Sequence, residues 1–179
     1  MITPAILHAI MPGAGRRADV FALPLGDAAQ RFGIDTPARV AAWLAQVAHE
    51  SGQLIYTREI WGPTPTQMRY EGRADLGNTQ PGDGKRFMGR GLIQITGRKN
   101  YLLCGLGLHL DLLSMPALLE QPDAAAASAG WYWQAHGLDR FVDAGDFIGL
   151  TRAINGSTNG LADRQQFWAR AKAALGVKA

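Results

Sequence analysis

The sequence predicts one mainly α-helical domain over residues 1–179, with a Gly/Pro-rich central segment and at most a small β-hairpin. Three observations predict it. Apolar residues recur at helical spacing along most of the chain. Thr3-Pro4 and Thr36-Pro37 each place a capping hydroxyl before a proline at the first helical position. Between Gly62 and Gly97 the periodicity stops, and three prolines and a scatter of glycines replace it.

Taken in order, Thr3-Pro4 opens a short helix that ends near Pro12-Gly13. Arg17 to Leu23 and Gly26 to Phe32 read as two helical pieces separated by Pro24, because proline lacks the N–H that a helix interior needs. After Thr36-Pro37, Val40, Leu44 and Val47 recur at i, i+4 and i+7 with Ala41, Trp43 and Ala48 beside them, and Gly52 is placed to stop the run. This is the strongest amphipathic pattern in the chain. The central segment has its turn-rich middle at Asn78-Thr-Gln-Pro-Gly-Asp-Gly84, and a short extended or hairpin piece is expected around Gly91 to Thr96. Loops this long inside a compact domain are usually functional. Helices resume at Asp123 to His136, Asp146 to Asn155 and Leu161 to Leu175. No internal repeat or composition shift marks a second domain.

A chain that is 47% hydrophobic and 18% charged is a globular protein, neither disordered nor membrane-embedded. The net charge of +3 suits a polyanionic partner such as nucleic acid, acidic lipid or an anionic cell wall, without choosing among them or against simple solubility. Cys104 is the single cysteine and lies in the apolar run Tyr101 to Gly105, so it reads as a small buried hydrophobe. The first residues have no basic region and no small-residue cleavage site before Arg16-Arg17, and do not look like a signal peptide. No apolar run approaches the ~18 residues needed to span a bilayer. Retention in the cytoplasm until release is the expectation.

The chemistry starts at His49-Glu50-Ser51-Gly52. Glu50 follows Trp43 by seven residues, on the shoulder of the apolar face and at the end of its helix. Apolar packing and a helix C-terminus both disfavour the charged carboxylate, which fits a general acid. A solvated surface glutamate fits the periodicity equally well. Glu59 lies nine residues on, in Arg58-Glu59-Ile60-Trp61. Gly52 lets the chain turn and bring it across a groove from Glu50, and two carboxyls facing across a cleft are what glycoside hydrolysis needs. Spacing alone is weak support, since glutamate pairs are common.

Longer strings are more specific. Ala45-Gln-Val-Ala-His-Glu-Ser-Gly52, Tyr70 to Gly84, Phe87-Met-Gly-Arg-Gly-Leu-Ile-Gln-Ile-Thr-Gly-Arg-Lys-Asn-Tyr101, Ile154-Asn-Gly156 and Asp163-Arg164 resemble glycoside hydrolase family 19, and most closely its phage and prophage endolysin branch. The resemblance covers nearly the whole chain. It implies a lysozyme-like fold, Glu50 as general acid and Glu59 as general base of an inverting mechanism. It also implies that Gln94, Thr96 and Asn100 hold the water and the sugar N-acetyl or hydroxyl groups. Asn155 and Arg164 correspond to a distal pair that lines the cleft and supports the base, the arginine keeping a neighbouring carboxylate ionised. Plant members carry His-Glu-Thr-Thr where this chain has His49-Glu-Ser-Gly52, and their groove-lengthening insertions are absent here, which weighs against chitin.

Other residues have plainer readings. Glu71 competes with Glu59 for the base, but reads better as a loop glutamate paired with a nearby arginine. Asp83 is a turn residue, and His49 a solvent-facing or supporting one. Trp131, Tyr132 and Trp133 read as core, while Trp61 is the better groove wall. Arg86, Arg90, Arg98 and Lys99 make the middle segment basic, as a wall-attracting surface or a solvated rim. His49-Glu50 lacks the second histidine of a zinc protease motif, so no metal site and no cofactor are expected.

The expected activity is cleavage of the N-acetylmuramic acid/N-acetylglucosamine strand of peptidoglycan, muramidase-fashion, by a monomer that binds no nucleic acid and inserts in no membrane. The alternatives are a chitinase, a lytic transglycosylase that needs one glutamate and yields anhydro-sugar products, and, from another class, a catalytically inactive sugar-binding module. The route implied is cytoplasmic accumulation followed by release to the periplasm and cell wall.

Overall fold

The computed structural model describes residues 1–178. Helix α1 (Pro4–Ile10) begins as its cap requires, with the Thr3 hydroxyl accepting from the Ile6 N–H at 3.3 Å. A 3-10 turn, Pro12–Ala14, leads into α2 (Arg17–Arg31). Here one expectation is corrected: α2 runs through Pro24 as a single helix. Its buried stripe of Ala18, Phe21, Ala22, Leu25, Ala28 and Ala29 is continuous on both sides of the proline. The carbonyl that Pro24 leaves without a donor belongs to Val20, which is exposed, so water can satisfy it.

Helix α3 (Pro37–Glu50) starts at Thr36, whose hydroxyl accepts from the Arg39 N–H at 3.2 Å. Residues Ala41 to Ala48 are all buried, so α3 is a core helix enclosed on every side rather than one with a solvent face. It packs most extensively against α10 (Leu161–Ala174), which makes the contact between the ends of the chain and the middle of the molecule.

The central segment holds two four-residue helices, α4 (Pro65–Met68) and α5 (Asp83–Arg86), and a 3-10 turn at Ala74–Leu76. The expected hairpin is reduced to two isolated antiparallel bridges, Arg58 with Arg90 and Arg90 with Ile95. Then follow α6 (Arg98–Leu108), a 3-10 turn at Pro116–Glu120, α7 (Pro122–Ala135), α8 (Asp139–Asp143), α9 (Phe147–Asn155) and α10. The sequence reading places α7, α9 and α10 within a residue or two and misses α6. Two apolar clusters result. The larger gathers α1, α2, α3, α7, α9 and α10 around Trp43 and Trp133; the smaller sits under α6, around Phe87, Tyr101 and Leu119. No helix among the described residues is long and apolar enough to cross a membrane.

Candidate active site

Glu50 is the last residue of α3, and the chain reverses immediately after it. Gly52, Gln53 and Leu54 have φ of 56, 60 and 67°, three consecutive left-handed residues. For Gln53 and Leu54 that conformation costs roughly 1–2 kcal/mol each. Side chains hold it. The Ser51 hydroxyl donates to Val47 O at 2.6 Å and accepts from the Leu54 N–H at 2.8 Å, and Gln53 Oε1 accepts from the Gly13 N–H at 2.7 Å. Glycine is required at position 52, since a Cβ would also stand 2.9 Å from the Tyr56 ring.

This reversal sends the chain back past Glu50, so that Glu50, Tyr56, Arg58, Glu59, Ile60 and Gln94 line one open cleft of about 250 Å³. The two glutamates predicted to react therefore face the same space, with Gln94 beside them.

Glu50 is anchored from behind. Its Oε1 accepts from Arg164 Nη2 at 2.6 Å, and Arg164 is fully buried while the Glu50 side chain is 21% exposed. Arg164 also donates through Nη1 to Gln46 Oε1 and through Nε to Asn159 O at 3.3 Å. Gln46, one turn before Glu50 on α3, is fully buried and donates to Thr151 Oγ1 at 3.2 Å. The chain of contacts from α9 through α3 to α10 fixes the carboxyl in place. Oε2 of Glu50 has no protein hydrogen-bond partner among the described residues. Beside Arg164, Asp163 Oδ2 accepts from Nδ1 of half-buried His49 at 2.6 Å. Half-buried Tyr132 on α7 has its phenol pushed up from the ordinary value by burial and then by the Glu50 charge, which places it in the field of that carboxylate.

Glu59 is held by neutral donors. Its Oε1 accepts from the Gly89 N–H at 2.6 Å and its Oε2 from Gln67 Nε2 at 3.1 Å. The backbone pairs in the same place, with Glu59 N–H on Gly89 O at 2.9 Å and Gly91 N–H on Thr57 O at 2.9 Å. Gln67 is buried and uses both ends of its amide. Nε2 also donates to Ile60 O at 2.9 Å, while Oε1 accepts from the N–H groups of Gly62 and Thr64 at 3.1 and 2.8 Å. Both oxygens of Glu59 accept, and each keeps a lone pair for a further hydrogen bond from the cleft.

Several expectations need correction. Arg164 was expected to support Glu59 and instead clasps Glu50, because Asp163-Arg164 opens the helix that packs on α3. The Glu50 carboxyl thus meets a guanidinium rather than an apolar wall alone. Asn155 is exposed at the end of α9, its amide oxygen accepting from Ser157 Oγ at 2.8 Å. Thr96, Asn100 and Trp61 are half-buried but are not among the residues lining the cleft. Asn100 donates to Thr96 O at 2.7 Å, tying down the start of α6, and Trp61 leans on Tyr70 at 6.4 Å between ring centroids.

Glu71 has its structural role, but its partners are the N–H groups of Gly82 and Gly84 at 2.6 and 2.8 Å rather than an arginine. Asp83 is more than a turn residue: it is buried and receives both Nε and Nη2 of Arg98 at 2.8 and 2.6 Å, which holds its carboxyl below the usual range. Arg90 is buried against Glu120 and Tyr101, and Arg86 donates to Leu113 O, so most of the basic middle is internal bracing. Sequence reasoning missed Gln46, Gln67, Tyr56 and Arg58. For Gln46 a signal existed, since an amide inside an apolar helix one turn before Glu50 must share its face.

A family model described as chitinase class I, glycoside hydrolase family 19, matches residues 26–142. An endochitinase of Arabidopsis thaliana is 34% identical over 172 residues, which is 87% of this chain and 56% of that protein. A glycosyl hydrolase family 19 domain-containing protein of Haemophilus influenzae is 31% identical over 151 residues, 69% of this chain and 74% of its own. Chitinase C of Streptomyces griseus superposes with a TM-score of 0.76 at 26% identity, over 98% of this chain and 76% of its own. A bacterial family 19 chitinase reported to differ from the plant enzymes superposes with a TM-score of 0.76 at 25% identity, over 99% and 96%. The chain spans little more than half the length of the first Arabidopsis relative. With its mainly helical, lysozyme-like fold, the chain belongs to glycoside hydrolase family 19.

Proposed function

We propose that this chain hydrolyses the N-acetylmuramic acid/N-acetylglucosamine strand of peptidoglycan by an inverting, two-glutamate mechanism, as a phage- or prophage-type endolysin. The observation that carries the reading is the shared cleft of Glu50 and Glu59, the first held through one oxygen with Oε2 left free among the described residues and the second held through both oxygens by neutral donors. A protonated Glu50 keeps a carbonyl oxygen, Oε1, to accept from Arg164, while Oε2 carries the proton to the glycosidic oxygen. Glu59, fixed by Gly89 and Gln67, takes a proton from a water that attacks the anomeric carbon from the other face. The C–O bond to the leaving sugar breaks as the bond to water oxygen forms, and the product anomer is inverted. Gln94 is placed to hold a neutral sugar through its amide. No cofactor enters this scheme.

Chitin is the second reading, favoured by the names of the relatives above. Turbidity clearing of outer-membrane-permeabilised Gram-negative cells, run beside hydrolysis of soluble chitin oligosaccharides, separates the two. Clearing with release of ordinary reducing-end fragments supports the peptidoglycan reading. Cleavage of chitin oligosaccharides without clearing transfers the assignment to chitin, and binding without cleavage of either leaves only a sugar-binding role.

A further inference from the structure

We infer that Arg58 is a specificity-determining residue, which selects a carboxylate-bearing glycan over a neutral one; this rests on the hydrolase reading of the same cleft. Arg58 lines the cleft with Glu50, Glu59 and Gln94. Its backbone is fixed by the antiparallel bridge to Arg90 and by the pairing of Thr57 and Glu59 with Gly91 and Gly89. The side chain is nevertheless 61% exposed.

Its charge is only loosely paired within the protein. Among the described residues the carboxylate paired with it is Glu120, whose Oε2 lies 3.5 Å from Arg58 Nη1, at the limit of hydrogen bonding. Glu120 is already committed, since Oε1 accepts from Arg90 Nε at 2.8 Å. Arg90 is buried and further tied to Arg86 O and Tyr101 OH at 2.9 and 3.0 Å, so it is the structural partner. Two guanidiniums therefore share one carboxylate, and the surplus positive charge is the one facing the cleft. Glu59, next in sequence, is held by Gly89 and Gln67, and Glu50 is held through Oε1 by Arg164.

A neutral polymer of N-acetylglucosamine offers this guanidinium nothing that an amide could not supply. A peptidoglycan strand carries carboxylates, on its peptide stems or on the lactyl groups of stripped strands, and a planar guanidinium fork matches a carboxylate in two-point geometry. Arg58 can turn from its long contact with Glu120 to such a group without stranding a buried partner, because Glu120 keeps Arg90.

The test compares kcat/KM of wild type, Arg58→Gln and Arg58→Lys on three substrates: intact peptidoglycan, amidase-stripped glycan strands and a neutral chitin hexasaccharide. Arg58→Gln is expected to lower the ratio of anionic to neutral activity about tenfold and to flatten its salt dependence, with Arg58→Lys recovering part of it. Loss confined to intact peptidoglycan assigns the contact to the peptide stem; loss that persists on stripped strands assigns it to the lactyl carboxylate. An equal loss on the neutral hexasaccharide, or an unchanged ratio, overturns the inference while leaving the wild-type activity to judge the hydrolase reading. A wild type inactive on both carboxylate-bearing polymers overturns both.

Discussion

Replacing Gln46 by leucine tests whether the buried relay behind Glu50 sets that carboxyl in place. Leucine is close to glutamine in volume, so no cavity follows, and the surrounding helix favours it. Thr151 Oγ1 loses the Gln46 amide but keeps its bond to Phe147 O at 3.0 Å. The cost falls on Arg164, which is fully buried and loses the acceptor of its Nη1 group. Leaving a buried charged donor unmatched costs about 1.5–3 kcal/mol. With a urea m value of about 2 kcal/mol/M, the unfolding midpoint should fall by about 1 M. The guanidinium also becomes free to shift, and a displacement of Glu50 by about 1 Å reduces kcat on the order of a hundredfold. The assay is urea unfolding followed by fluorescence, with kcat measured on the same preparations. In an Arg164→Met background the further loss of stability from Gln46→Leu should disappear, since the donor it strands is gone. A midpoint that does not move, or losses that simply add, would refute the relay.

Two other perturbations follow from the same geometry. Gln67→Glu puts a second carboxyl against Glu59 Oε2, and two like charges cannot both ionise readily, so the pair holds a proton to higher pH. The acid limb of the kcat/KM profile should move upward by roughly one pH unit or more, whereas a merely structural Gln67 would lower the whole profile evenly. At Cys104, burial pushes the thiol up from 9.0 to about 12. The folded state then holds a proton that the unfolded state releases above about pH 9, so stability declines as pH rises from there, by about 1.4 kcal/mol per pH unit for this group. Cys104→Ala should be less stable at neutral pH yet show a shallower decline between pH 9 and 11 in thermal unfolding; an unchanged slope contradicts the argument.

What was legible in the sequence was what local chemistry decides. Thr3-Pro4 and Thr36-Pro37 announced two helix starts because a hydroxyl cap and a proline act within one turn. The Glu50–Gly52 break was readable for the same reason. Helix α6 was missed because Gly105 and Gly107 look like breakers. Their real requirement is closeness: a Cβ on Gly105 would stand 2.6 Å from Leu110 O, and one on Gly107 would meet the Trp131 ring. Pro24 misled in the opposite direction, since α2 continues through it with Val20, one turn before, on the exposed face. At the site, the strings pointed to two glutamates that line one cleft, but not to the partner of Arg164. Position 164 is 114 residues from Glu50, and only the packing of α10 on α3 decides which carboxyl it meets. Glu71 and Asp83 follow the same rule, each recognised as structural or as a turn residue while its partner lay beyond the range of local patterning.

The central claim is that Glu50 and Glu59 divide acid and base roles across one cleft. It is tested most directly by reducing-end release from purified peptidoglycan, comparing wild type with Glu50→Gln and Glu59→Gln variants whose folding is verified. Losses of at least about a hundredfold in kcat for each, with inverted product from the wild type, are the predicted result. Retention of the starting anomeric configuration, or undiminished release by the Glu59→Gln variant, would contradict the account.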